Sequence, residues 1–398
     1  MTKLSKIQLK PGLHRESTQY EEEGKWFDGN HVRFRSGKPE NMRGYETKVS
    51  TAFDGSARDL LTYRSINNTK RAVFGTSDKL YAHNGDLITD ITPIVTAVTL
   101  ANVFGTSSGS TRVCCSDAGH GRAVGDYVYF TSTATFNAVS LSTNVYPVTS
   151  VVNSGVFTIS VTDAANATAS DVGSATFNYL LPTGNSIATG GLGYGAAAFQ
   201  ATVCASQTRA WNEAASADAS DIVFDISQWS LDNWGDDVVA NRNGGNIYYF
   251  DSDASTVPIR ATSITTSPIS VNSIVVSPND RHLICLGANS YSPTATVSGT
   301  FDPMLVRWSD QDDRTNWVPS LTTTSGEVVL TDGTKIIGGL RSRNAVHIWT
   351  DNAMWTMQFV GPPFTFRFTP VGTNCGMIAP HAAVDYNGIS YWMGYDNF

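Results

Sequence analysis

KLYAHNG (79–85), NIYYFDS (246–252), HIWTDNA (347–353) and ISYWMGYDN (389–397) share one shape: a β-branched or aromatic strand that ends in Asp or Asn beside a small residue. The spacing between these anchors is irregular, yet each is followed or preceded by another short strand. Repeated four-strand sheets leave this signature, and packing such sheets radially hides most of their edges in a β-propeller. A β-sandwich array is the competing arrangement, but the strand groups recur beyond the roughly 9 strands of one sandwich. The fold class expected is therefore all-β, a β-propeller with an inserted small β-barrel-like domain.

Upstream of the first anchor, LLTYRS and KRAVFGTS read as strands of about 5 residues, and LITDITP follows it. Asn84-Gly85 is a hairpin signal, because a tight turn there needs positive φ at both central positions. Residues 1–94 are thus an N-terminal segment with the first propeller strands. Within it, GKWFDGNHVRFRSGKPENMRGYE (24–46) alternates apolar Val32 and Phe34 with Arg33 and Arg35, and Gly37-Lys38-Pro39 is expected to end that strand as a turn.

Residues 95–182 change character, being rich in Thr, Ser, Ala and Val. VGDYVYFTS (124–132), NVYPVTSVV (144–152) and GVFTISVTD (155–163) alternate as strands of a small inserted β domain. A Gly/Ala-rich connector spans 183–220. A helix around 195–209 is compatible with the sequence, with Gly190, Gly191, Gly193 and Gly195 arguing for an irregular loop at its start, and GGLGYG lacks the full pattern of a phosphate-binding loop. The short-strand style returns over 221–398 as the remaining blades. The sequence stops at Asp396-Asn397-Phe398, inside a motif that elsewhere turns back as a second strand. Either the sequence ends early, or another segment, such as the N-terminal strand, closes the final blade.

Composition agrees with strands: 41% hydrophobic, only 16% charged, with 34 Gly and 15 Pro as turn formers. The net charge of -8 argues against a protein that grips phosphates, while leaving room for a lumen along which duplex slides. Five cysteines without a CxxC suit reduced, mostly buried thiols folded in a cytoplasm better than a secreted disulfide framework. MTKLSKIQLKPGLHRES has no apolar core of a signal peptide, and no stretch approaches the roughly 20 apolar residues of a membrane helix.

RWSDQDDRTNW (307–317) is the most chemical-looking stretch. Asp310, Asp312 and Asp313 could form a glycosidase pair or a Ca²⁺ loop. The plainer expectation is a structural turn in which Asp side chains accept backbone N–H groups while Trp308 and Trp317 pack between blades. It differs from the Asp-box turn of sialidase propellers, since Gln311 and Arg314 stand where that box wants Asp and Gly. The seven His show no zinc-ligand spacing, and no nucleophile motif is present, so no catalytic residue, metal or cofactor is assigned. VGPPFTFRFTPVG (360–372) reads as a strand with one packed aromatic face. Lys25, Trp26, Arg33, Phe34, Arg35, Lys38 and Arg43 make the densest positive patch, read as a solvated hairpin, a docking surface for an acidic neighbour, or a DNA contact.

Three stretches together, GKWFDGNHVRFRSGKPENMRGYE (24–46), WSLDNWGDDVVANRNGGNIYYFD (229–251) and residues 307–366, resemble the tail nozzle family of podoviruses, the tail tubular protein B-like or phage stabilisation proteins. KLYAHNGDLITDITP (79–93) is similar to that family too. The resemblance implies a propeller in each subunit and a ring, six copies around, beneath the head-to-tail adaptor protein. Such a ring holds and passes the phage genomic DNA without sequence-specific binding, and it meets tail fibres or a needle. The implied place is the virion tail, after synthesis in the host bacterial cytoplasm, with no membrane span. The alternative is a propeller tail protein that binds or cleaves glycan, and a third reading makes 95–182 a receptor-binding module.

Overall fold

The computed structural model describes residues 9–15, 18, 20–21, 23–42, 44, 51–85, 87–183, 227–253, 260–294 and 299–395. All regular elements among them are strands. The chain divides into two compact units, 1–52 and 53–398.

In the first unit β1 (Lys10–Leu13) pairs in parallel with β2 (Lys25–Trp26), and β3 (Val32–Arg35) forms an antiparallel hairpin with β4 (Lys38–Asn41). The turn expected at Gly37-Lys38-Pro39 lies one residue earlier, at Ser36-Gly37, with φ of 49° and 76°. Two successive positive φ values make a type I′-like connection, which matches strand twist. Pro39 is then free to sit in β4, because an exposed two-stranded hairpin leaves an edge that needs no N–H.

In the second unit, sheet I runs β5 (Ala57–Arg64), β6 (Lys70–Thr76), β7 (Leu80–Asn84), β8 (Leu87–Asp90). Next come β9 (Ile94–Thr106), β10 (Arg112–Ser116), β11 (Tyr127–Phe130), β12 (Ala134–Phe136), β13 (Val139–Leu141), β14 (Val145–Asn153), β15 (Val156–Ser160) and β16 (Ala169–Leu180). Six of these close a barrel in the order β10-β15-β14-β11-β16-β9, and β12–β13 form a separate ribbon. Phe104, Phe130, Phe157 and Phe177 fill the barrel and are fully buried. Burying each such side chain is worth about 1.5–3 kcal/mol.

Sheet II follows as β17 (Trp229–Trp234), β18 (Asp237–Arg242), β19 (Ile247–Phe250), β20 (Thr262–Ser263). Sheet III is β21 (Val271–Val276), β22 (Leu283–Asn289), β23 (Phe301–Trp308), β24 (Gly326–Val329). Sheet IV is β25 (Ile336–Arg341), β26 (Val346–Thr350), β27 (Ala353–Gly361), β28 (Thr365–Thr373). A two-stranded ribbon, β29 (Ala383–Tyr386) and β30 (Ile389–Trp392), ends the series. Every four-stranded sheet is an antiparallel meander in chain order.

Side-chain alternation glues each sheet to the next. On β18, Val238 and Ala240 join Val73, Leu80 and Trp229 in a core with sheet I, while Val239 between them faces sheet III with Val271 and Ile274. On β22, Leu283 and Cys285 point toward sheet II, and Ile284 and Leu286 toward Ile348, Met357 and Phe366 of sheet IV. The first strands adjoin in order, β5 with β17, β17 with β21, β21 with β25 and β25 with β29. The barrel is fastened to sheet I by two cations. Lys79 lies 4.5 Å from the Tyr127 ring and 2.7 Å from Asp54, and Arg260 lies 4.9 Å from the Tyr129 ring and 3.2 Å from Asp90.

The connector read over 183–220, including the helix weighed at 195–209, lies outside the described residues from 184 onward, as do residues 396–398. Cys115 and Cys285 are free and buried and Cys375 is free, but Cys114 is disulfide-bonded, which corrects the expectation of uniformly reduced thiols.

Candidate functional site

The acid turn at the end of β23 is built from local hydrogen bonds. Asp310 Oδ1 accepts the Thr324 amide at 2.7 Å, the Thr324 hydroxyl at 2.6 Å and the Gln311 amide at 3.0 Å. Asp313 Oδ1 accepts the Thr315 amide at 2.8 Å and its hydroxyl at 2.6 Å. Asp312 has φ of 57° and pairs with Arg281 at 2.9 Å. Trp308 and Trp317 are both buried, and their indole N–H groups donate to Thr324 O and Arg314 O, each at 2.8 Å. Partial burial works against the Asp310 carboxylate, but the Thr324 and Gln311 donors and nearby His282 outweigh it and hold its pKa below the ordinary value.

Beneath this turn, His282 is fully buried. Its Nδ1 contacts Asp280, and its Nε2 lies 3.0 Å from the Thr324 hydroxyl. Arg307, 1% exposed, donates from Nη1 to Asn289 O at 3.0 Å and from Nη2 to Trp317 O at 3.1 Å. The guanidinium fork thus ties the turn back to β22. Each Asp of the sequence motif is engaged with a backbone amide, a hydroxyl or an arginine, which is the chemistry of a structural turn.

A second acidic group, not singled out in the sequence, lies where the first strands meet. Asp59 on β5 accepts the Leu231 amide of β17 at 3.1 Å. Asp232 on β17 accepts the Val276 amide of β21 at 2.6 Å and stands 3.4 Å from Arg341 of β25. His381 Nε2 lies 3.0 Å from Trp229 O. Burial pushes both carboxyls above the ordinary value, opposed by His381 at Asp59 and by Arg341 at Asp232. The sequence signal for both is an Asp set within an apolar first strand, in DLL (59–61) and LDNW (231–234).

The basic-aromatic patch divides between the two sides of one hairpin. Arg33 stands opposite Glu40 and Arg35 opposite Lys38, whereas Phe34 belongs to the alternate face and meets Trp26 edge-on at 6.3 Å. Arg43 lies outside the described residues. A cleft of about 560 Å³ runs along this hairpin between Asn30, Val32, Pro39, Glu40 and Met42. In the second unit a cavity of about 80 Å³ opens beneath Arg71, between Tyr63, Val73, Phe250 and Ser252. Neither is lined by two carboxylates. Of the aromatic row at 364–368, Phe366 is buried against Trp308 and Phe368 half-buried beside it, while Phe364 is exposed in the turn. Among the described residues, no group of three or more His, Cys, Asp or Glu is placed to hold a metal ion.

No protein-family model matches this chain, and no curated protein does. Among solved structures, Phage phi92 endosialidase aligns over 79% of this chain and 48% of its own at 14% identity, with a TM-score of 0.23. The chain therefore spans about half the length of that protein, and a likeness at that score supports no argument about fold or activity.

Proposed function

We propose that this chain is a structural subunit of a bacteriophage tail, a nozzle-type wall element whose sheets I–IV are propeller blades and whose copies form a ring. The ring, six copies around, sits below the head-to-tail adaptor and conducts genomic DNA. What supports the reading is the long similarity of 24–46, 229–251 and 307–366 to tail nozzle proteins. The geometry adds that the carboxylates of the acid turn are taken up by backbone and hydroxyl donors at Asp310 and Asp313 and by Arg281 at Asp312. The sheets are joined by carboxylate-to-amide contacts at their first strands, an arrangement suited to bearing load. Mass photometry and negative-stain imaging of the purified chain test this. Closed symmetric rings are expected, and a stable monomer at micromolar concentration would count against it.

One observation favours the alternative of a glycan-cleaving tail protein: Asp59 and Asp232 are two interacting, partly desolvated acids with raised pKa, the condition of a general acid. Release of reducing sugar from host polysaccharide by the native chain, abolished in Asp232→Asn, would replace the structural reading with this one.

A further inference from the structure

We infer that residues 1–52 are a docking arm, and that the basic face of its β3–β4 hairpin engages the acidic body of a second copy of this chain. The inference rests on the ring reading above and names the contact that would close it. Residues 1–52 carry 10 Lys and Arg against 7 Asp and Glu, a net charge of +3, so residues 53–398 carry 17 against 28, a net charge of -11. Every copy therefore presents a cationic segment and an anionic body, and head-to-tail pairing of the two neutralises both at once.

The arm has little to hold it together alone. Not one described residue between 9 and 44 is buried, and an isolated two-stranded hairpin is at best marginally stable in water. Its charges are also arranged at a cost. Arg33 has Glu40 at 3.0 Å, but on the next rung Arg35 stands directly across from Lys38. Like charges on opposed positions of an antiparallel pair repel. An anionic surface laid over that face turns this repulsion into attraction. On the reverse face, half-buried Trp26 and Phe34 pack edge-on against each other, which leaves the basic face as the charged side of the hairpin. Duplex DNA would meet the same two cations on a chain whose net charge is -8, so a protein partner of this composition fits better.

The full chain and its Arg35→Glu/Lys38→Glu variant are compared by sedimentation velocity at low and high salt. The wild type is expected to assemble, with assembly weakened by salt, and the variant to need about tenfold more protein for half-assembly. Both side chains are exposed, so the thermal unfolding midpoint of the body should not move, and Arg35→Gln/Lys38→Gln should fall between the two. Zero-length carboxylate–amine cross-linking of mixed ¹⁵N-labelled and unlabelled chains should join Lys38 to an Asp or Glu of the other isotope. Three results overturn the inference while leaving the ring intact. These are assembly unchanged in both variants, cross-links confined to one isotope, or a variant that assembles normally but loses binding to duplex DNA. A wild type that remains monomeric removes the ring and the arm together.

Discussion

Asp232 Oδ2 accepts the backbone N–H of Val276 at 2.6 Å, so a carboxylate of sheet II caps an amide of the first strand of sheet III. Asp59 does the same from sheet I to Leu231 of sheet II. Removing the acceptor strands a buried amide, and Asp232→Ala should cost about 1–3 kcal/mol in urea unfolding. Asp59→Ala should cost less, because Asp59 is the less enclosed of the two.

Acidity should act on the two acidic groups with opposite signs. Burial raises Asp232, so the fold holds that proton more tightly than the unfolded chain. Its contribution is therefore greatest below the ordinary 3.8 and declines as pH rises through the raised value. Asp310 is lowered, as is Asp351 in the separate turn between β26 and β27 where it accepts from Thr334, so their contribution is full above 3.8 and is lost as pH falls through the lowered value. Unfolding midpoints measured across this range should show Asp310→Asn reducing the loss at acid pH and Asp232→Asn reducing the decline above 3.8. The same change in both variants would contradict the assignment.

Sheets I and II approach closely at Gly75. A methyl group there would fall 2.2 Å from Trp229 Cγ, while the Trp229 indole donates to Thr76 O at 2.8 Å. The ring is 1% exposed and hydrogen-bonded, so moving it out of the way costs packing and that bond. Gly75→Ala should destabilise by about 1–3 kcal/mol, or more if the sheets part, measured as a lowered unfolding midpoint. Gly85→Ala has open space around it and needs only the strain of a φ of 75°, so it should cost about 1 kcal/mol.

Arg307 spans from Asn289 to Trp317 with a fork that a lysine cannot copy. Arg307→Lys should release the acid turn, giving faster amide exchange at Asp310–Trp317 and a loss of about 2 kcal/mol or more. Asp312 checks the backbone side of the same turn. At its φ of 57°, Asp312→Gly should be tolerated despite losing Arg281, whereas Asp312→Val should lose about 1–3 kcal/mol.

Much of this fold was legible because its signals are local. The anchors at 79–85, 246–252, 347–353 and 389–397 end or border strands of four different sheets or ribbons, and the acid turn closes through neighbours in sequence. What escaped depended on distance or on the loss of alternation. LICLGAN (283–289) is buried throughout because both of its faces are covered, so it shows no polar side to mark a period. The β9 and β16 ladder joins strands more than sixty residues apart. Asp59 and Asp232 reveal nothing alone, since the amide that Asp59 caps is 172 residues away. The alternation of Arg33 and Arg35 with Val32 and Phe34 was readable in the sequence, but the pairing of Arg35 with Lys38 depended on a turn that lies one residue earlier than expected.

The two ends of the barrel leave sheet I and return side by side: Ile94 lies across from Leu180, and the Leu181 amide donates to Pro93 O at 2.9 Å. Seen from the sheets, the whole barrel is a single doorway two strands wide. A different module whose termini meet in that way can be exchanged here by recombination, provided it offers aromatic rings to Lys79 and Arg260, and the scaffold would carry on unaltered beneath its new attachment.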